Sequence, residues 1–183
     1  ASKGGEFIRN YGLCKMLENS GHEVVSILGC KFPNFTIEKA DNENYLLHDF
    51  TNHYAKNQLK DALLKFQKQP DLIKLIDDVV SSYNPDVVFI DYYYFGQYIG
   101  FFRKKKIPVI YGTHNVQSRI NFQNPVNTLR NKISRYITYL FFRFHELYYF
   151  RRADAIIAVS DEDLKFYHKW FSTGKLYTIP NFL

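Results

Sequence analysis

Short apolar runs rich in β-branched residues recur along this 183-residue chain, and apolar residues return every three to four positions in the stretches between them. Residues 23–28, 86–90, 107–111, 154–159 and 175–179 read as strands. Residues 5–20, 53–68, 71–83, 95–105, 129–152 and 161–171 read as helices, with Pro70 breaking the second from the third. Residues 29–52 are polar and irregular and read as a long loop. Strands that alternate with helices need a crossover for every pairing. The pattern therefore predicts an α/β fold, a parallel sheet with helices on both faces. Gly21 closes the first helix in the position where a left-handed residue ends it. No Gly/Ser linker divides the chain, so the sequence reads as one domain spanning 1–183.

The 107–111 run ends in Gly112-Thr113-His114-Asn115. In an open α/β sheet the carboxyl ends of the strands form the ligand crevice. A histidine there titrates near neutral pH and can orient a hydroxyl or move a proton. Asn115 reads as a loop holder through bonds from its side chain to the backbone. A second strand ends in Asp91-Tyr92-Tyr93-Tyr94, which places Tyr92 and Tyr93 along the same crevice, where rings stack on sugars or pack over helices.

The formal net charge of +6 admits a phosphorylated ligand or an anionic membrane as partner. No helix-turn-helix, zinc-finger or other recognition signature accompanies the charge, so nucleic acid is not expected. The two cysteines, Cys14 and Cys30, lack metal-ligand spacing and read as reduced thiols of a cytoplasmic protein. Much of the charge lies on the 129–152 helix, where Arg130, Lys132, Arg135, Arg143, Arg151 and Arg152 face one acid, Glu146. Ile133, Ile137, Leu140 or Phe141, Phe144, and Leu147 or Tyr148 recur at helical spacing and read as its core stripe. Tyr136, Tyr139, Phe142 and Tyr149, interleaved with Arg135 and Arg143, are left over as a basic-aromatic face suited to peripheral contact with anionic headgroups.

Three segments in this order resemble the N-terminal half of family 4 glycosyltransferases, enzymes of two Rossmann-like domains in the GT-B arrangement. The first is Lys3-Gly4-Gly5, with Arg9 on the following helix and Gly21-His22-Glu23-Val24 after it. The second is Thr113-His114-Asn115-Val116. The third runs from Ala153-Asp154-Ala155 through Ser160 to Ile179-Pro180-Asn181. The resemblance implies a glycosyltransferase that moves a sugar from a nucleotide-sugar donor to a glycan or lipid-linked acceptor, with retention and without a metal or other cofactor. It implies that this chain is the acceptor-side domain, entered without its first strand, and that the donor-binding domain lies outside it. On that footing Gly4 and Gly5 face the donor phosphates or the acceptor, with Arg9 reinforcing an anion there, and His114 is the catalytic residue. The alternative is a non-catalytic docking or acceptor-binding subunit that recruits a separate donor domain.

Overall fold

A computed structural model describes residues 5–30, 45–49, 67–113, 116, 118, 129–169 and 175–180. They gather into two compact units, residues 1–79 with 182–183, and residues 80–181. In the first, helix α1 (Gly5–Asn19) is followed by strand β1 (Ser26–Cys30), which pairs in parallel with β2 (Tyr45–Asp49) from Ser26↔Tyr45 to Cys30↔Asp49. Gly21 takes φ +86°. Its N–H reaches the Glu18 carbonyl at 2.9 Å, and the His22 N–H reaches that of Leu17 at 3.1 Å. This is the double-bonded cap that only a residue tolerant of left-handed backbone closes without strain.

Two expectations change here. The strand read at 23–28 starts three residues later and takes in Cys30, because a ladder extends only as far as its partner does. The stretch read as one loop over 29–52 contains β2. Its Tyr-Leu-Leu core is too short to signal a strand until β1 lies beside it. The helix read at 53–68 falls almost entirely outside the described residues, and residues 67–69 are not helical. Pro70 opens helix α2 (Pro70–Tyr83) rather than merely ending what precedes it. At a first helical position its missing N–H costs nothing, and its fixed φ is already helical. Leu72, Ile76 and Val80, one turn apart, are the buried side chains of α2.

The second unit holds a four-stranded sheet in the order β3-β4-β5-β6, parallel throughout. Strand β3 (Val88–Asp91) runs into a 3-10 turn (Tyr93–Tyr98) and helix α3 (Ile99–Lys104). Strand β4 (Val109–Gly112) leads to α4 (Leu129–Phe150), and β5 (Ala155–Ala158) to α5 (Asp161–His168) and β6 (Leu176–Thr178). Parallel neighbours need a crossover for every pairing, and the helices of successive crossovers meet one another. Accordingly α4 meets the 3-10 turn through Phe142 and Tyr93, with ring centroids 5.5 Å apart, and α5 through Phe150 and Tyr167 at 4.5 Å. Tyr111 of β4 packs edge-on against Phe150 at 5.2 Å. Asp154 ties β4 to the turn before β5 by accepting the Val109 N–H at 2.9 Å.

The orientation of α4 departs from the sequence reading, although Tyr136 is exposed as expected. Ile133, Ile137, Leu140, Phe144 and Tyr148, expected in the core, are exposed, Phe144 at 63%. Phe142 and Tyr149, expected outside, are buried at 4% and 8%. Apolar residues lie on more than one face of the helix, so its periodicity alone does not choose between them. The face carrying Phe142, Tyr149 and Phe150 is buried because its rings find matching partners in Tyr93, Gly96 and Tyr111. Gly96 completes the fit. A Cβ there would stand 2.6 Å from the Tyr149 ring, so its absence lets the 3-10 turn close onto α4.

Candidate functional site

The carboxyl edge of the four-stranded sheet brings together the ends of β3 and β4. The register pairs Asp91 with Gly112, so the last rung of this ladder joins a carboxylate-bearing residue to a glycine. A Cβ at Gly112 would lie 2.6 Å from Asp91 Oδ1 and 2.8 Å from the Phe89 ring. Glycine is therefore needed for close approach, and the Asp91 side chain leans across the end of β4. The next residue, Tyr92, adopts φ 144°, a backbone conformation that costs a side-chain-bearing residue of order 1–3 kcal/mol and clusters at functional edges. It turns the chain from β3 into the 3-10 helix. Beyond Gly112, Thr113 is buried, and its N–H donates to the Ile157 carbonyl at 2.8 Å, so the strand end is fixed up to the residue before His114.

Tyr92 and Tyr93 do come together, with centroids 4.9 Å apart, but they differ in role. Tyr92 is half-buried at the strand tip. Tyr93 is buried against Phe142 of α4, and burial, aided by Tyr94 and Tyr92, raises its phenol far above the ordinary range. The expectation that Tyr93 lines a crevice is thus corrected: its ring is taken up by the interior. His114, Asn115 and Gly4 lie outside the described residues. Gly5 is the first residue of α1 and Arg9 stands one turn further on.

A buried polar cluster, unforeseen in the sequence, joins Ser118 to α4. Ser118 is fully buried and Glu146 of α4 is 3% exposed. The Glu146 carboxylate accepts the Ser118 hydroxyl at 2.6 Å through Oε2 and the Ser118 N–H at 3.2 Å through Oε1. A carboxylate this deep is stable only when its lone pairs are engaged. Here it clamps a backbone position four residues after His114. Tyr111 and Tyr167 surround the clamp, and both phenols are held well above their ordinary value. For Tyr111 the cause is burial, then Tyr167 and Glu146. For Tyr167 it is burial, then Glu146, with the Thr113 hydroxyl pulling the other way. Both phenols remain neutral at any physiological pH and cannot act as anions. The signal for the clamp lay in the sequence: one acid among six cations on an aromatic helix.

The two arginines expected at a membrane surface part company. Arg143 is buried at 9%, with its guanidinium 4.4 Å from the centre of the Phe166 ring. The expectation of headgroup contact there is corrected, since the inward turn of α4 carries Arg143 with it and its charge is absorbed by an aromatic face. Arg135 is half-buried on the same helix. Among the described residues no helix is long and apolar enough to cross a membrane.

The carboxyl edge at β5 and β6 is held by caps. Ser160 accepts the Asp163 N–H at 3.1 Å as the N-cap of α5, and Thr178 donates to Asp161 at 2.8 Å. These bonds explain Ser160 and Thr178 as structural.

No curated protein matches the sequence significantly. Among solved structures the chain is similar to the crystal structure of MurG from Acinetobacter baumannii. The TM-score is 0.52 and the identity 13%, over 100% of this chain and 43% of MurG. At that identity the likeness bears on fold alone, an α/β arrangement matching half of the GT-B fold of MurG. The profile of the family described as Glycosyltransferase Family 4 matches residues 4–183. With a match over nearly its whole length, and a parallel α/β sheet of the matching kind, the chain belongs to glycosyltransferase family 4.

Proposed function

We propose that this chain is the acceptor-side half of a retaining glycosyltransferase that moves a sugar from a nucleotide-sugar donor to a glycan or lipid-linked acceptor. The donor-binding half is supplied by a further domain, in the same chain or another. The observation that carries the reading is the edge formed by Asp91, the strained Tyr92, Gly112 and Thr113, which leads directly into His114. A rigid strand end followed by an imidazole is the arrangement that positions a proton-handling group against a reacting hydroxyl. In this reading His114 orients the acceptor hydroxyl or stabilises charge developing near the leaving diphosphate. Tyr92 borders the sugar, and Asn115 holds the loop. Gly4 and Gly5 bring backbone N–H groups to the start of α1, where the helix dipole favours phosphate, and Arg9 adds a cation one turn further on. No cation is required, because N–H groups, Arg9 and the helix terminus supply the positive field that a metal provides elsewhere.

Two measurements test the reading. Calorimetry on this chain alone is expected to show weak or no binding of nucleotide sugars, since most donor contacts belong to the other half; tight, saturable binding overturns the two-half arrangement. With the donor half present, His114→Ala is expected to lower kcat and kcat/KM alike by ~10²-fold or more, without a large fall in Tm. Unchanged turnover in that variant favours the docking-subunit alternative.

A further inference from the structure

We propose that Asp91 and Tyr92 form a subsite for an uncharged sugar, in which the Asp91 carboxylate accepts from a sugar hydroxyl and the Tyr92 ring lies against the C–H face of the pyranose. The inference rests on the reading of this sheet edge as acceptor-side, and it adds the class of sugar that the edge takes. Elimination among the described residues leads to this pair. At β5 and β6 the polar tips are spent on the fold: Ser160 accepts the Asp163 N–H, and Thr178 donates to Asp161. Thr113 at the end of β4 is buried, and Tyr93 packs against Phe142. Asp91 and Tyr92, at the end of β3, both keep part of their surface exposed.

Both members of the pair are held in place. The carboxylate can lean over the end of β4 only because residue 112 is glycine, since a Cβ there would stand 2.6 Å from Asp91 Oδ1. With Oδ1 set against Gly112, Oδ2 is the oxygen offered to a ligand. Tyr92 keeps its strained φ of 144°, and its ring is braced by Tyr93 and Tyr94, with centroids 4.9 and 5.2 Å away. A fixed carboxylate beside a fixed ring suits a sugar, whose hydroxyls donate charge-assisted bonds and whose C–H face covers an aromatic surface. Charge then chooses among sugars. Tyr111 of β4 is acted on by Glu146 and Asp91 alike, so two carboxylates govern the field at this strand end. The nearby cation, Arg143, is turned to the Phe166 ring. A uronate or a sugar phosphate set against Asp91 meets like charge, whereas a neutral pyranose supplies the donors that the carboxylate accepts.

The test is saturation-transfer NMR on the full chain with methyl glucoside, methyl galactoside and methyl mannoside, beside methyl glucuronide as the anionic counterpart. Wild type is expected to bind at least one neutral glycoside at millimolar concentration and to bind the glucuronide about tenfold more weakly. Asp91→Asn keeps the shape of the side chain and removes its charge. It is expected to weaken the neutral glycoside about fivefold and to bring the two ligands within about twofold of each other. Tyr92→Gly removes the ring at a backbone angle that glycine adopts freely, and is expected to weaken the neutral glycoside about tenfold. Circular dichroism and Tm check that each variant is folded, and if one unfolds the other carries the test. Equal wild-type affinity for neutral and anionic glycosides overturns the proposal. So does a preference that survives Asp91→Asn, or binding that is unchanged in Tyr92→Gly; either result leaves the acceptor-side reading standing. Absence of binding by every neutral glycoside up to tens of millimolar overturns that reading together with the subsite.

Discussion

The two faces of α4 are built from nearly the same residue types and do opposite things. Inward, Phe142, Tyr149 and Phe150 fill the space between the sheet and its neighbouring helices, and two ionisable groups, Arg143 and Glu146, are buried among them. Outward, the stripe from Ile133 to Tyr148 stays in solvent although its residues are among the most apolar of the chain. The comparison teaches that hydrophobicity did not choose the buried face. Complementarity did: Gly96 admits Tyr149, Phe166 receives Arg143, and Ser118 gives Glu146 two donors. A buried carboxylate or guanidinium is tolerated only where such partners wait for it, and among the described residues those partners lie on the inward side of the helix.

The strongest challenge to this division is alkaline pH. An unfolded tyrosine releases its proton near pH 10. Burial, with Tyr148 adding and Arg152 opposing, pushes the inward Tyr149 up to about 12. Burial carries Tyr93, Tyr111 and Tyr167 in the same direction. Above pH 10 the unfolded state therefore binds fewer protons than the folded one. Stability is complete below that pH and falls as pH rises, by about 1.4 kcal/mol per unit for each such phenol. Denaturant melts across this range, followed by tyrosinate absorbance, should show ionisation and unfolding arriving together. Ionisation of these phenols near pH 10 in a folded chain would mean that the inward face is open to water.

Next in size is the contrast between two phenylalanines two positions apart. Phe142→Ala should cost ~3–5 kcal/mol, the usual toll of emptying an aromatic site in a packed interior. Phe144→Ala should stay within about 0.5 kcal/mol. Urea denaturation of both variants measures the difference directly, and equal costs would restore the sequence reading of the helix.

The smallest expected effect is the most specific. Glu146→Gln keeps the size of the side chain and one acceptor oxygen but replaces a charge-assisted bond to Ser118 with a neutral one, at a cost of about 1–2 kcal/mol. Hydrogen exchange at the Ser118 amide should accelerate well beyond that of Thr113, which is held by the Ile157 carbonyl and not by Glu146. Equal acceleration at both amides would mean that the substitution loosens the unit at large and that the clamp is not local.

Much of the architecture was legible because it is local. Gly21 ends α1 and Pro70 begins α2 through backbone preferences that need no partner. The strands at β3, β4, β5 and β6 were visible as β-branched runs, within about two residues at each end. The tips that carry Asp91, Tyr92 and Gly112 could be placed on one sheet edge because parallel strands end together. What failed had a non-local cause in each instance. Strand β2 needed β1 beside it. Tyr93 left the crevice for Phe142, and Arg143 left the surface for Phe166. Glu146 looked like a stray acid until Ser118, brought back by the fold from 28 positions earlier, supplied its donors.

The sequence by itself determined the strands and helices from α2 onward, the parallel sheet they require and the strand tips Asp91 and Gly112 at its carboxyl edge, because periodicity and β-branching act through each residue's own backbone. Only the tertiary structure decided which side of α4 is interior, since both sides satisfy the same period and a helix can turn about its axis at no local cost. Packing against Gly96, Phe166 and Ser118 removed that freedom, and with it fixed both the clamp on Ser118 and the apolar stripe left facing outward.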